Sequence, residues 1–560
     1  MEMLPKTAFS AVLSAAALYG FVRYLQMLHV GRKYGAHQHI VVSEETLLRL
    51  LLPDGVDIPG VVYGGDRTLR AKYSEFLRAR KDAYIQVAMT NLRPNVYIAD
   101  PQAIKIITTQ KHIYVKDVEY LDRFVGCYGQ SLLMAEGEVW RRHRKQTQRA
   151  FNEVNLFLFI TYQISEIASQ KNIRLVWSET EDIMRRLFRI WDRRGCKEVH
   201  IDNVSDVTET LGLLVISMAG FGRRISWDPV DDKIPQGHQM SFSNAVRTVS
   251  RNLIGRALIP TWAKNLTKTT RDITTAFSEF GQYLTDMVAL GQKSSEVTGD
   301  QSQDMHEPKL APDSLINLLL SANCENTWDG GKGLDDKEVA GNIFLFLFAG
   351  HESTAHAISF CLGLLALYPE VQQEVYAQIE EVVRSHGGLH YSNLKDIHLV
   401  ECVFWESLRL YPVVSDLVCV SLSNIIQVSF KTSHVARIAT QDSVVSVARN
   451  GPGADENTRE NFFIPKGSNI WLSLTAVHYN PTYWAEPEKF RPKRFMEPHN
   501  KDAFLAFSTG MRSCIGRRFA EVEGTVALAL LLERYEIKID EEKFPAIPGE
   551  SALVSFWHHT

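Results

Sequence analysis

Near its C-terminal end the chain reads Phe507-Ser508-Thr509-Gly510-Met511-Arg512-Ser513-Cys514-Ile515-Gly516, and the largely apolar run Ala520–Tyr535 comes next. That run reads as a long final helix, so Cys514 stands just ahead of a helix N-terminus. Unsatisfied N–H groups and the positive dipole end there both stabilise a thiolate. Gly510 and Gly516 let the backbone turn tightly and come close to a flat ligand. Phe507 can screen the sulfur from water, and Arg512 is placed to pair with a carboxylate. A shielded thiolate with N–H donors and a cation beside it is what a haem iron with propionates requires.

Upstream, Asp335–Tyr368 predicts a helix of about 50 Å, with Asp335 and Asp336 supplying cap and dipole complement and Pro369 closing it. Ile343–Phe348 and Ala355–Leu367 are nearly all apolar, which runs this helix through the middle of a large domain. A second membrane span is the competing reading, opposed by His351, Glu352 and His356 at mid-segment. Glu370–Ser385, Leu394–Tyr411 and Ala520–Tyr535 read as further helices, with a short β ending after the last. Tyr84–Met89 and Asn95–Ala99 read as strands, and residues 434–475 alternate as strands do. Asp100–Pro101 opens a helix, and the polar stretch Gly291–Ser314 reads as a loop.

The whole chain has 560 residues, 61 Lys+Arg against 65 Asp+Glu, 45% hydrophobic and 22% charged residues. These proportions are those of a globular protein and exclude collagen-like, coiled-coil and wholly disordered classes. A net charge of −4 gives no electrostatic case for a nucleic-acid partner. Seven scattered cysteines without a CxxC pair argue for a reducing compartment, against a disulfide framework or a cysteine-type zinc site.

Residues Thr7–Val22 form a stretch of 16 uncharged residues, about 24 Å as a helix against a hydrocarbon core of about 30 Å. Arg23 can snorkel and Tyr24–Val30 can extend the span. Arg23, Arg32 and Lys33 lie after it while Glu2 and Lys6 precede it, which places the bulk of the chain in the cytosol. A cleaved signal peptide, with small residues at Ala15–Ala17, is the rival reading. With an anchor, the sequons at Asn203 and Asn265 stay out of reach of glycosylation. The resulting organisation is an anchor over 1–30, a linker over 31–67 with Pro53, Pro59 and Gly64–Gly65, and one domain over 68–560.

The Cys514 stretch resembles the haem-binding loop FxxGxRxCxG of the cytochrome P-450 monooxygenases, and the chain carries other motifs of that family in order. Trp140-Arg141-Arg142-His143-Arg144 is similar to its WxxxR, and Ala349-Gly350-His351-Glu352-Ser353-Thr354 to its AGx(D/E)T(T/S). Glu406-Ser407-Leu408-Arg409 is similar to ExxR, and Phe490–Phe495 to FxPxRF. The resemblance implies a mainly α fold with a small β-rich subdomain, a long central I helix over the haem and a Cys-ligand loop before the L helix. It implies Cys514 as axial ligand of haem b, with Trp140, Arg144, Arg437 and Arg512 on propionates and Phe507, Gly510 and Gly516 shaping the loop. It further implies that Ala349 and Gly350 leave room for O2, that Glu352, Ser353 and Thr354 handle protons, and that Glu406, Arg409 and Arg494 are structural. His351 is read as a packing residue, and Ser353 stands where Thr is usual.

The implied reaction puts one atom of O2 into an apolar small molecule, with electrons from a membrane-bound NADPH–cytochrome P-450 reductase docking on Arg141, Arg142, Lys145, Arg517 and Arg518. The resemblance is to membrane-anchored fungal members, many acting on terpenoids or other secondary metabolites, at the endoplasmic reticulum with the catalytic domain in the cytosol. Substrate choice is assigned to residues 120–135 and 240–262. A haem-thiolate isomerase or dehydratase and an inactive product remain alternatives. The last is motivated by Val154–Gln170 and Val413–Gln427, which interrupt the family pattern. Each begins with Val and ends with Gln, whose codons can carry the borders of a retained intron; genuine surface insertions are the other reading.

Overall fold

Asp335 closes a reciprocal cap at the head of the helix Asp336–Leu367. Its carboxylate accepts from the Glu338 backbone N–H at 2.8 Å, and the Glu338 carboxylate accepts from the Asp335 N–H at 3.0 Å. The helix then runs 32 residues, about 48 Å, to a stop at Tyr368–Pro369. Gly341–Phe348 is buried without a break, as a helix apolar on all sides must be. The core reading of this segment therefore holds over the membrane one.

The structure is a computed structural model and describes residues 6–34, 37–42, 61–63, 72–88, 92–116, 118, 122, 125–151, 162–193, 195, 198–227, 232–259, 261–296, 314–320, 333–413, 419–422, 426–429, 434–450 and 458–540. It divides into two compact units. The first comprises Met1–Asp117, Val414–Lys489 and His499–Ser513. Its seven-stranded sheet has the order Val61–Tyr63, His37–Val42, Ala83–Ala88, Pro94–Ile98, Asn469–Ser473, His434–Ala439, Tyr114–Val115. Asn469–Ser473 lies parallel to Pro94–Ile98 and antiparallel to His434–Ala439. Ser443–Ala448 and Arg459–Ile464 form a separate antiparallel pair. Asp100 caps Pro101–Thr109, accepting from Ala103 N–H at 2.8 Å, with Pro101 in the first turn as expected.

The second unit, Val118–Val413 with Phe490–Pro498 and Cys514–Thr560, is helical. Gly137–Phe151, Val204–Val215, His398–Leu410 and Arg517–Arg534 surround the central helix. Val204–Val215 comes so close that a Cβ on Gly212 would lie 2.6 Å from the His351 carbonyl oxygen.

Several expectations shift. The segment 31–67 is not only a linker, because His37–Val42 and Val61–Tyr63 join the sheet as parallel neighbours. The helix Lys268–Glu296 continues into the stretch read as a loop from Gly291, and residues 297–313 lie outside the described residues. No strand forms over 535–540, and residues 541–560 lie outside the described residues. Of Val154–Gln170, only residues 162–170 are described, as helix. Within Val413–Gln427 the strand Cys419–Leu422 pairs with Ile426–Ser429, and among the described residues these two strands pair only with each other. The N-terminal helix spans Lys6–Lys33, with Leu18, Tyr19, Phe21, Val22 and Leu25 exposed. Among the described residues no single helix is long and apolar enough to cross a membrane.

Glu523, in Arg517–Arg534, is fully buried, and neither carboxyl oxygen has a hydrogen-bond partner among the described residues. Burial pushes its carboxyl well above the usual range, so the folded protein holds a proton there that the unfolded chain releases at neutral pH. Stability from this group therefore falls as pH rises above the ordinary glutamate range. Glu523→Gln should raise the thermal midpoint, more at pH ~8 than at pH ~5; an equal shift at both would contradict the assignment.

Candidate functional site

Cys514 is exposed, whereas burial pushes the covered thiols of Cys361 and Cys402 up to about 12. The helix Arg517–Arg534 begins three residues after it, with Gly516 at its N-cap, no side-chain cap and no acidic residue in the first turn. A helix start with its positive dipole end and no acidic side chain in the first turn favours an anion. Gly516 has an ordinary φ of −90°, and a Cβ there would find only Phe151 Cε1, at 3.9 Å. Among the described residues, packing leaves room for a side chain at 516. An accessible sulfur, a bare turn and an uncapped helix start are the donor set of a haem-thiolate site, and the residues present fit that group.

The foot of this helix is tied to His398–Leu410. Glu521 accepts from Trp405 Nε1 at 3.1 Å and from Arg517 Nε at 2.8 Å, and Arg518 Nη1 donates to Glu401 at 2.8 Å. Deeper in, Glu406 and Arg409 are fully buried. Glu406 accepts from Arg409 Nε at 2.7 Å and Nη2 at 2.9 Å, from Arg494 Nε at 3.0 Å and from Arg491 N–H at 2.9 Å. The ExxR and FxPxRF motifs therefore meet at one carboxylate.

Trp140 is buried and Arg144 half-buried on Gly137–Phe151, whose end packs Phe151 edge-on against Phe346 of the central helix at 4.9 Å. Between them His143, missed by the sequence reading, accepts at Nδ1 from Asn342 Nδ2–H at 3.0 Å and lies 3.4 Å from Glu338. Arg142, expected on a docking face, instead grips Glu338 with both Nη atoms at 2.7 and 2.6 Å and donates to Gly333 O at 2.8 Å. Its chemistry is spent on the central helix cap. Arg517, Arg518 and Lys145 stay at the surface, and Arg141 pairs with Glu138.

On the central helix the burial breaks at Ala349, which is exposed. Ala349, Glu352, Ser353 and His356 share an arc of about 100°, all partly open. Gly350, expected to leave room, instead admits Ile216, whose Cδ1 would lie 3.2 Å from a Cβ there. Thr354 is buried, about 140° around the helix from Ala349, apart from Glu352 and Ser353. Ser353 Oγ donates to Ala349 O at 2.7 Å. His351 is buried and its Nδ1–H donates to Leu347 O at 2.7 Å, a packing role as read. Glu352 is pushed up to about 7, chiefly by burial and then by the charge of Glu209, against the charge of Arg251.

Four expected residues lie in the first unit. Gly510 has a φ of +74° and would set a Cβ 3.1 Å from Thr108 Oγ1, so glycine is required there. It opens a turn that includes Arg512. Phe507 packs edge-on against Phe504, which stacks on buried His478; His478 Nε2 accepts from Leu505 N–H at 2.8 Å. This histidine brace of the loop carried no sequence signal. Arg437 is buried on His434–Ala439, opposite Ile470.

The cytochrome P450 family model matches residues 68–423 and 454–556. The chain is 32% identical to cytochrome P450 monooxygenase 124 of Postia placenta, over 89% of this chain and 85% of that protein. It is 24% identical to a cytochrome P450 monooxygenase of Arthrobotrys oligospora, over 82% and 77%. A crystal structure of the cytochrome P450DA haem domain superposes with a TM-score of 0.60 at 20% identity, covering 84% of this chain and 87% of that one.

Removing the Glu406 carboxylate takes away the buried acceptor that Arg409 and Arg494 share. Glu406→Ala should cost about 3–5 kcal/mol, read as a lower urea midpoint; a midpoint unchanged from wild type would refute the role given to this carboxylate.

Proposed function

The chain belongs to the cytochrome P450 family and is a monooxygenase of it, and from that premise we propose its reaction, cofactor and setting. The reaction is RH + O2 + NADPH + H⁺ → ROH + H2O + NADP⁺, with RH an apolar small molecule of the terpenoid or other secondary-metabolite class. NADPH–cytochrome P450 reductase delivers the electrons, docking near Lys145, Arg517 and Arg518. The observation that carries this reading is Cys514, exposed at an uncapped helix start inside the matched region.

Cys514 would hold haem b, and Trp140, Arg144, Arg437 and Arg512 would pair its propionates, with Phe507, Gly510 and Gly516 shaping the loop. When bound, that haem supplies an iron whose thiolate ligand favours O–O cleavage. Glu352 holds and gives up a proton, and Ser353 keeps its hydroxyl beside it by donating to Ala349 O. Thr354, also assigned to proton handling, is buried on another face of the helix, and the role falls to Glu352 and Ser353. Residues 1–30 anchor the chain, the exposed apolar side chains of Lys6–Lys33 lying in the endoplasmic reticulum membrane with the domain in the cytosol. Val413–Gln427 is retained intron sequence or an insertion. Its strand Cys419–Leu422, which among the described residues pairs only with Ile426–Ser429, supports an origin outside the common fold, while the family match runs through residue 423. A cDNA that contains the segment would remove the intron reading.

The reduced carbon-monoxide complex should show the red-displaced Soret band of thiolate ligation, and Cys514→Ser should abolish it. A band that survives this substitution would overturn the ligand assignment. Coupling should fall as pH rises through about 7, because Glu352 loses its proton there. Ser353→Thr adds a methyl that stiffens the side chain and should lower hydrogen peroxide released per NADPH. Equal release by both proteins would contradict this.

A further inference from the structure

The open arc of the central helix does not end at Ser353. It continues through His356 to Ser359 one turn on, where Ser359 Oγ and Thr208 Oγ1 lie 2.6 Å apart and pin Val204–Val215 alongside. His356 Nε2 lies 4.0 Å from Glu352 Oε1, so a small rotation of either side chain joins them. Both side chains are 35% exposed, on the partly open arc of the helix. On Val204–Val215, Glu209 lies between Thr208 and Gly212, which meet the central helix at Ser359 and at the His351 carbonyl, and its charge acts on Glu352 and on His356. Glu209 is itself held by Arg251 Nη2 at 3.0 Å, and Arg251 reaches the surface carboxylate of Asp206 at 3.7 Å. The series thus runs from the Asp206–Arg251 pair at the surface through Glu209 and His356 to Glu352, five side chains in all.

We propose that Glu209 and His356, behind the Asp206–Arg251 pair at the surface, form a proton-entry path that reloads Glu352 in each turnover. The proposal rests on the reading of Glu352 as proton donor and extends it to this chain's own supply route. The balance is simple: one proton leaves Glu352 toward the site, and one enters from solvent through Glu209 and His356 to restore it. His356 suits a relay. Burial lowers its basicity while the Glu209 charge opposes that, so it rests neutral and readily passes on a proton it picks up. The charged groups facing the pair come from two neighbouring helices. Glu209 comes from Val204–Val215 and Arg251 from Phe242–Arg251; Asp206 lies behind Arg251 at 3.7 Å, and Arg247 is held by Thr210, its Nη2 donating to Oγ1 at 2.9 Å. His351 on the same helix is turned to Leu347 O.

The holoenzyme allows two independent readouts. In infrared pH titration, the protonated carboxyl band that disappears in Glu352→Gln reports Glu352 without turnover. Glu209→Gln should move its midpoint down and Arg251→Gln should move it up, each by about one unit. Opposite shifts are not what loosened packing produces. In reductase-driven NADPH oxidation, which needs no known substrate, His356→Ala should raise peroxide per NADPH about two- to fivefold and enlarge the solvent isotope effect. If His356→Ala loads haem poorly, His356→Gln replaces it and should give the same rise. Unmoved midpoints in the two charge variants, or a His356 variant that leaks no more than wild type while Glu352→Gln leaks, would overturn the path alone. Wild-type leakage in Glu352→Gln would overturn the donor reading and the path with it.

Discussion

One carboxylate without water holds the second unit in register. Glu406 has four donors within 3.0 Å, from Arg409, Arg494 and the Arg491 backbone. Charges so placed gain little net stability over apolar packing, but they tolerate few alternative geometries. The pair therefore fixes where Phe490–Pro498 lies against His398–Leu410. From that helix, Trp405 and Glu401 fix the foot of the helix that begins just after Cys514. The position of the sulfur is in this way inherited from a buried charge several side chains away.

The central helix carries a second division of labour. Its first turns are knitted to Gly137–Phe151 by Arg142, His143 and Asn342, all converging on Glu338 or its neighbour one turn later. Its middle is packed tightly on one side, where Gly350 and Gly212 let Ile216 and the His351 carbonyl come close. The other side is left partly open and polar. Tight packing on one face is what allows a covered, ionisable face on the other without loss of the helix.

Much of this was legible in the residues. The long helix, its Asp335 cap, the Asp100 cap and the strands around residues 84 and 96 came from periodicity and capping chemistry. The meeting of ExxR with Arg494 came from the family resemblance. The features that escaped share a cause, since they depend on partners far apart in the chain. His143 and His478 are buried histidines whose roles exist only through Asn342 and Leu505. Arg142 sat in a basic run that read as surface, and its partner lies 196 residues on. Thr354 and Ser353 look interchangeable in sequence, but 100° of helical rotation buries one and opens the other. The strands His37–Val42 and Val61–Tyr63 lie among turn-forming residues, which hid them as linker.

The sheet has a further consequence for synthesis. Its strand Asn469–Ser473 bridges Pro94–Ile98 and His434–Ala439, and Asn469 and Asn95 are 374 residues apart. On a ribosome the early strands must wait for that partner, roughly 20–75 s at ordinary elongation rates. During that interval an edge with open backbone groups is exposed to other nascent chains, so yield on expression should depend on chaperone supply more than on the stability of the finished fold.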